Sequence, residues 1–230
     1  MVVLGSAQPD SAPPAAFPET QATVAARARM VREQIAARGV KDPRVLEAMG
    51  RVPRHEFLPP GRRFQAYEDG PVSIGEGQTM SQPYVVAFMS AALELKPADQ
   101  VLEIGTGSGY QAAVLAELAS QVFTIETVEA LAWRAETDLK RLGYGRVKVR
   151  VGDGYQGWPE AAPFDAVIVT CAPEQVPEAL VKQLKVGGRM IIPVGPQNGA
   201  QKLLLLRKHK AGLETKVVMP VRFVPMVKGG

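Results

Sequence analysis

The run Val101-Leu102-Glu103-Ile104-Gly105-Thr106-Gly107-Ser108-Gly109-Tyr110, continued by Ala112-Ala113-Val114-Leu115-Ala116, restricts the possible folds more than any other part of the chain. A short apolar run enters a glycine turn, and the chain leaves it with a helical pattern. Glycine at such a turn lets backbone approach a ligand where a side chain would clash. Strand, glycine turn and helix in that order open a nucleotide-type cofactor site in an open α/β sheet.

The residues around the glycines select the cofactor. The dinucleotide fingerprint is Gly-x-Gly-x-x-Gly, which places a pyrophosphate at the helix N-terminus. Here the spacing is Gly-x-Gly-x-Gly, and Tyr110 stands where the third glycine belongs. Glu103 lies in the first strand, and Glu126 ends a second apolar run, Val122-Phe123-Thr124-Ile125, 21 positions after Gly105. An acid at that second place is set to bond ribose hydroxyls. Carboxylates beside the glycines would repel phosphate and suit a ligand that carries cations instead. S-adenosylmethionine, with its sulfonium and ammonium groups, meets this description, whereas NAD does not. Glu103, Gly105, Thr106, Gly107, Ser108 and Glu126 are therefore the expected cofactor residues. Asp153-Gly154, after a third strand, add a carboxylate that can accept an adenine amino proton.

At 230 residues and 46% hydrophobic composition, the chain can bury one substantial core. Residues 1–19, with Pro9, Pro13, Pro14 and Pro18 and no periodicity, read as a flexible arm; residues 20–230 read as a single domain. Within it, 20–95 form a helical, substrate-side segment, 96–195 the cofactor core and 196–230 a C-terminal hairpin. Val24, Ala28, Val31 and Ile35 predict a helix from Thr20 to Arg38 that Gly39 stops. Asp42-Pro43 opens a short helix that Gly50 closes. Ser81 with Pro83 resembles an N-cap for the helical run Val85 to Met89.

Strands are expected at Gln100–Gly105, Gln121–Glu126, Val147–Gly152, Phe164–Thr170 and Arg189–Val194. Helices are expected at Tyr110–Ala119, Val128–Leu142 and Pro177–Lys185. The alternation predicts an α/β fold, a largely parallel sheet with helices on both faces. Leu203–Arg207 and Thr215–Val221 follow as an antiparallel hairpin.

The net charge of +4 is small and its basic residues are dispersed, apart from Arg207-Lys208-His209-Lys210, which reads as a solvated hairpin turn. Nucleic acid is thus not an expected partner. Cys171 is the only cysteine, which excludes an internal disulfide and a Cys-rich zinc site; at a strand end it reads as a small packed residue. With no signal-like or membrane-spanning stretch, a cytoplasmic monomer is expected, with no membrane partner and no metal.

These residues alone leave open a methyltransferase acting on small molecules or nucleic acid, a non-catalytic adaptor, or a Rossmann oxidoreductase. Further segments narrow the choice: Val52-Pro53-Arg54-His55-Glu56-Phe57, Ala66-Tyr67-Glu68-Asp69, Gly77-Gln78-Thr79-Met80-Ser81-Gln82-Pro83, Gly152-Asp153-Gly154 and Val221-Arg222-Phe223-Val224-Pro225-Met226. With residues 102–110 they resemble the protein-L-isoaspartate O-methyltransferase family, from about residue 24 to the C-terminus. Met80 stands where that family more often has isoleucine, a volume-conserving change, and Cys171 where it commonly has alanine.

The resemblance implies a class I methyltransferase sheet, a Rossmann-like variant with extra N-terminal helices and a rearranged C-terminal strand order. It implies methyl transfer from S-adenosylmethionine to the free α-carboxylate of L-isoaspartyl residues in damaged proteins, yielding S-adenosylhomocysteine. Ser81 matches the family's active-site serine. Such a carboxyl group, with a pKa of roughly 3 to 4, is already an anion at neutral pH, so no general base is needed and His55 is expected to have a structural or substrate-contact role. Ser81 and Thr79 are the expected donors to the carboxylate. Backbone around Gln82 to Val85 and residues Val221 and Phe223 are the expected peptide contacts.

Overall fold

The computed structural model describes residues 19–229. The expected arm therefore lies outside the described residues except for Glu19, which pairs with Arg27. Helix α1 (Gln21–Arg29) is capped by the Thr20 hydroxyl and continues as a wider turn over Met30–Ile35 and a tighter one over Ala36–Arg38. It stops at Gly39, whose φ of +96° is left-handed, as the sequence predicts. Asp42 caps α2 (Pro43–Arg51) by accepting the N–H groups of Arg44 and Val45, but the helix runs one residue past Gly50.

The expected strands form one seven-stranded sheet: β3 (Gln100–Ile104), β4 (Gln121–Glu126), β5 (Lys148–Val151), β6 (Phe164–Val169), β7 (Leu184–Val194), β8 (Gln201–His209) and β9 (Gly212–Val221), in the spatial order β5-β4-β3-β6-β7-β8-β9. Pairing is parallel from β5 to β7 and antiparallel from β7 to β9. Chain order reverses between β3 and β6, and ligands bind at such a switch point beyond the carboxyl ends of the strands.

Strand alternation divides the core. Val101, Val122, Ala166 and Ile168 pack on one face beneath α2, α3 (Pro83–Ala92), α4 (Tyr110–Leu118) and α5 (Glu129–Arg141). Leu102, Ile104, Phe123, Ile125 and Val167 pack on the other with Leu180 of α6 (Glu178–Gln183). Burial on both faces explains why these strands read as continuous apolar runs.

The structure departs from the sequence reading in several further places. Arg207, Lys208 and His209 belong to β8 and not to a solvated turn, Lys208 Nζ donating to the Val181 and Leu184 carbonyls at 2.8 and 2.7 Å. A hairpin unmarked by periodicity, β1 (Val72–Gly75) with β2 (Gln78–Met80), precedes α3; its turn carries positive φ at Gly75, Glu76 and Gly77. Ser81 is not a cap: Gln82 holds the N-cap position, without a side-chain bond, and Ser81 sits in the bend between β2 and α3. Finally, α6 ends at Gln183 and β7 begins at Leu184, ahead of the expected Arg189. Gly187, at φ +86°, and Gly188, whose neighbours leave no room for a side chain, let the strand kink and keep its pairing with β6.

Candidate active site

Two crevices open at the carboxyl ends of β3, β4 and β6 and meet. The first, about 560 Å³, is lined by Gly105 and Gly107 of the turn, Glu126 at the end of β4, Gly154, Thr170, Cys171 and the C-terminal residues Val224 to Val227. The second, about 1020 Å³, runs between Ser81, Gln82 and Tyr84 on one side and Met219 to Val224 on the other. Thr79, Thr170 and Val224 line both. A narrow cleft lined by Thr79, Ser81, Gly105, Thr106, Ser108 and Thr170 joins Ser81 to the glycine turn.

The glycine turn is held from three sides. Thr170 Oγ1 donates across it to the carbonyls of Ile104 and Gly105, at 3.0 and 2.7 Å, and a Cβ on Gly105, at φ +96°, would overlap that hydroxyl. Glu126 Oε2 accepts the Gly107 N–H at 2.8 Å and Oε1 the Val128 N–H at 3.0 Å. These bonds orient the carboxylate toward the crevice and leave further lone pairs for hydroxyl donors. Gly109, at φ +86°, lets α5 approach: a Cβ there would lie 3.2 Å from Leu139 Cγ. It takes over the close-packing role that the dinucleotide fingerprint gives its third glycine.

The expected cofactor residues do not all reach the crevice. Gly105, Gly107, Glu126 and Gly154 line it. The Thr106 hydroxyl turns inward to Thr124 at 2.7 Å, and Ser108 accepts the Tyr110 N–H, so both belong to the narrow cleft. Glu103 lies behind the turn, fully buried, with Oε2 accepting from Thr124 at 2.6 Å and Oε1 without a partner. Burial, reinforced by the charge of Glu126, pushes its carboxyl up to about 8 despite the Thr124 bond. An orphaned acid under the turn fits a ligand bearing a cation. Asp153 caps the turn that carries Gly154, through the Tyr155 N–H at 2.9 Å. Burial also pushes the Cys171 thiol up to about 12, in keeping with a packed residue of the crevice wall.

On the peptide side, Gln82 Nε2 donates to Asp69 Oδ1 at 2.7 Å; Asp69 in turn accepts from Arg38, which lies over the Tyr84 ring. Val221 ends β9 opposite Gln201, whose amide brackets the Phe223 backbone at 2.7 and 3.2 Å. The chain then crosses the sheet end, pairing with Ala172 through Val224 and Met226, which makes it a wall of both crevices. No signal in the sequence marks this tail as a wall of the first crevice. His55 lies outside all these linings, bonded through Nδ1 to the Tyr67 hydroxyl at 2.7 Å.

A reversed-order α/β sheet with this glycine turn, this acid at the end of the second strand and a buried acid beneath the turn defines an S-adenosylmethionine-dependent methyltransferase. The chain belongs to the protein-L-isoaspartate(D-aspartate) O-methyltransferase family, whose pattern matches residues 25–230. It is 56% identical over 207 residues to the protein-L-isoaspartate O-methyltransferase of Synechococcus sp., covering 87% of this chain and 85% of that one. The Gloeobacter violaceus protein of the same name is 54% identical over 199 residues, 86% and 97% of the two chains. A solved protein-L-isoaspartate O-methyltransferase superposes with a TM-score of 0.80 at 32% identity, over 86% of this chain and only 65% of that longer one. A Plasmodium falciparum structure named for the same activity, in complex with S-adenosyl-L-homocysteine, gives a TM-score of 0.76 at 26% identity over 88% and 98%. No helix among the described residues is long and apolar enough to cross a membrane.

Proposed function

We propose that the two crevices divide the reaction between them. The smaller holds the cofactor, the larger the isoaspartyl segment of a damaged protein, and methyl transfer takes place where they meet. The single observation that carries this is their shared lining of Thr79, Thr170 and Val224, with Ser81 at the junction.

S-adenosylmethionine, when bound, supplies an electrophilic methyl group on a cationic sulfur. Glu126 accepts ribose hydroxyls, its orientation preset by two backbone N–H groups. Gly105, Gly107 and Gly154 give backbone access. Thr106 and Ser108 shape the cleft, Glu103, which burial holds largely protonated at neutral pH in the empty crevice, would ionise beneath the turn as counter-charge when an ammonium binds, and the second oxygen of Asp153 accepts an adenine amino proton beside Gly154.

The acceptor carboxylate arrives ionised, so this chain has to orient it and exclude water; it need not remove a proton. Ser81 is the catalytic residue on this reading: its hydroxyl has no partner among the described residues and is free to donate to the carboxylate. Thr79 donates a second bond. Gln82, locked by Asp69, and the backbone of Val221 and Phe223 hold the peptide on either side.

The test supplies radiolabelled S-adenosylmethionine with two peptides that differ only in one L-isoaspartyl or L-aspartyl residue. Base-labile methyl ester confined to the isoaspartyl peptide is expected. Equal labelling would refute the selectivity, and no labelling the acceptor assignment.

A further inference from the structure

Arg54 carries a charge that the fold does not neutralise. Its side chain is fully buried. Nε donates to the Ala66 carbonyl and Nη2 to the Ser81 carbonyl, each at 2.7 Å, and the guanidinium lies over the Tyr110 ring at 4.8 Å. Nη1 has no partner, and no carboxylate among the described residues forms an ion pair with it. Arginine keeps its proton in proteins, and burying an unpaired ion is costly. The other buried arginine, Arg27, follows the usual pattern and pairs with Glu19.

A neutral donor would serve to link two carbonyls without that penalty. The placement explains why a cation is used. One of its bonds ends on Ser81, the residue at the junction of the crevices, and its ring contact is the first residue of α4 beyond the glycine turn. Among the described residues, the larger crevice is lined by no Asp or Glu and by two exposed arginines, Arg38, which pairs with Asp69, and Arg222. The anion that complements the buried charge is therefore missing from the described residues, and the substrate would bring it.

We propose that Arg54 is a positioning residue that fixes the Ser81 backbone and makes the Ser81 end of the groove select an anionic acceptor over a neutral one of the same shape. This rests on the functional reading above and adds a consequence to it. Methyl transfer turns the acceptor carboxylate into a neutral ester, so the attraction that draws the substrate in is lost on reaction and the product is released in preference to fresh substrate. A charge acting through a poorly polarisable interior is worth about tenfold or more in affinity.

The test compares two isoaspartyl peptides, one with the free α-carboxylate and one with the α-carboxamide, binding to the full chain in the presence of S-adenosylhomocysteine. In the wild type the carboxylate is expected to bind about tenfold or more tightly, and in Arg54→Met that ratio falls toward one. Arg54→Lys is expected to keep the ratio at about pH 7 and lose it by about pH 9, as a buried ammonium gives up its proton. Among the described residues, the titratable groups facing this position are Tyr110 and Tyr67, both of whose phenols burial holds above their ordinary value, so neither ionises in that range.

A wild-type ratio near one, or a ratio unchanged in Arg54→Met whatever happens to absolute affinity or Tm, would overturn the proposal. Should Arg54→Met not fold, a ratio in Arg54→Lys that stays flat across the pH range overturns it instead. A wild-type chain that does not methylate the isoaspartyl peptide at all would point to failure of the functional reading.

Discussion

Replacing Ser81 by alanine removes one hydroxyl from the junction of the crevices and leaves its carbonyl bond to Arg54 in place. A hydrogen bond to a charged group contributes about 1.5 to 3 kcal/mol, so kcat/KM is expected to fall roughly 10- to 150-fold. Steady-state methylation of an isoaspartyl peptide checks this, and an undiminished value removes Ser81 from the mechanism. Glu103 gives a prediction of a different kind. Its carboxyl sits near 4.5 in the unfolded chain and is pushed up to about 8 in the folded one, first by burial. The folded state thus holds the proton longer, and stability falls as pH rises between those two values. Glu103→Gln should flatten the decline of Tm between about pH 5 and 8 in ligand-free protein. A decline as steep as that of the wild type would show that Glu103 does not cause it.

At the scale of elements, the β3–α4 turn lies between α5 and the smaller crevice, the proposed cofactor site. Gly109 is left-handed and faces Leu139 and Ala135, at 3.2 and 3.3 Å from the position of an added Cβ. Gly109→Ala should cost about 2 to 4 kcal/mol, combining left-handed backbone strain with overpacking. Thermal unfolding measures that, and calorimetric titration with S-adenosylhomocysteine should show weaker binding as the turn shifts. Unchanged stability would mean that α5 yields freely. This turn was legible in the sequence because its glycines and flanking apolar runs are local signals. The β1–β2 hairpin was not, because its strands are short and only the Gly75-Glu76-Gly77 turn marks them. The Ser81 cap failed for a related reason: the hairpin ends at Met80, so Pro83 opens α3 behind Gln82 and leaves Ser81 in the bend.

For the molecule as a whole, the C-terminal tail unites the two crevices. Phe223 is held by Gln201, and Val224 and Met226 by Ala172, while Met226 also packs into the core with Leu102 and Ile104. A chain ending at Val221 keeps every strand of the sheet but loses this wall. Its far-ultraviolet circular dichroism should stay close to that of the full chain, while methylation is abolished and S-adenosylhomocysteine affinity drops by about tenfold or more, the loss expected when several buried apolar contacts are removed. Full cofactor affinity in the truncated chain would show that the tail serves the peptide alone.

Family resemblance in the Gln78 to Pro83 segment pointed to Ser81, while the sequence by itself determined the α/β class, the glycine turn and the acid at the end of β4. Each of these is written in contiguous residues whose spacing and chemistry act locally. Tertiary structure decided what depends on distant segments meeting. It placed Glu103 behind the turn, because alternation along β3 directs its side chain into the sheet's covered face, toward Thr124 of the neighbouring strand. It brought Val224 to Val227 across the sheet end to a glycine turn more than a hundred residues earlier in the chain. It also set the charge of Arg54 against the Ser81 carbonyl, because burial and the absence of a counter-ion are properties of a packed interior that no spacing along the chain records.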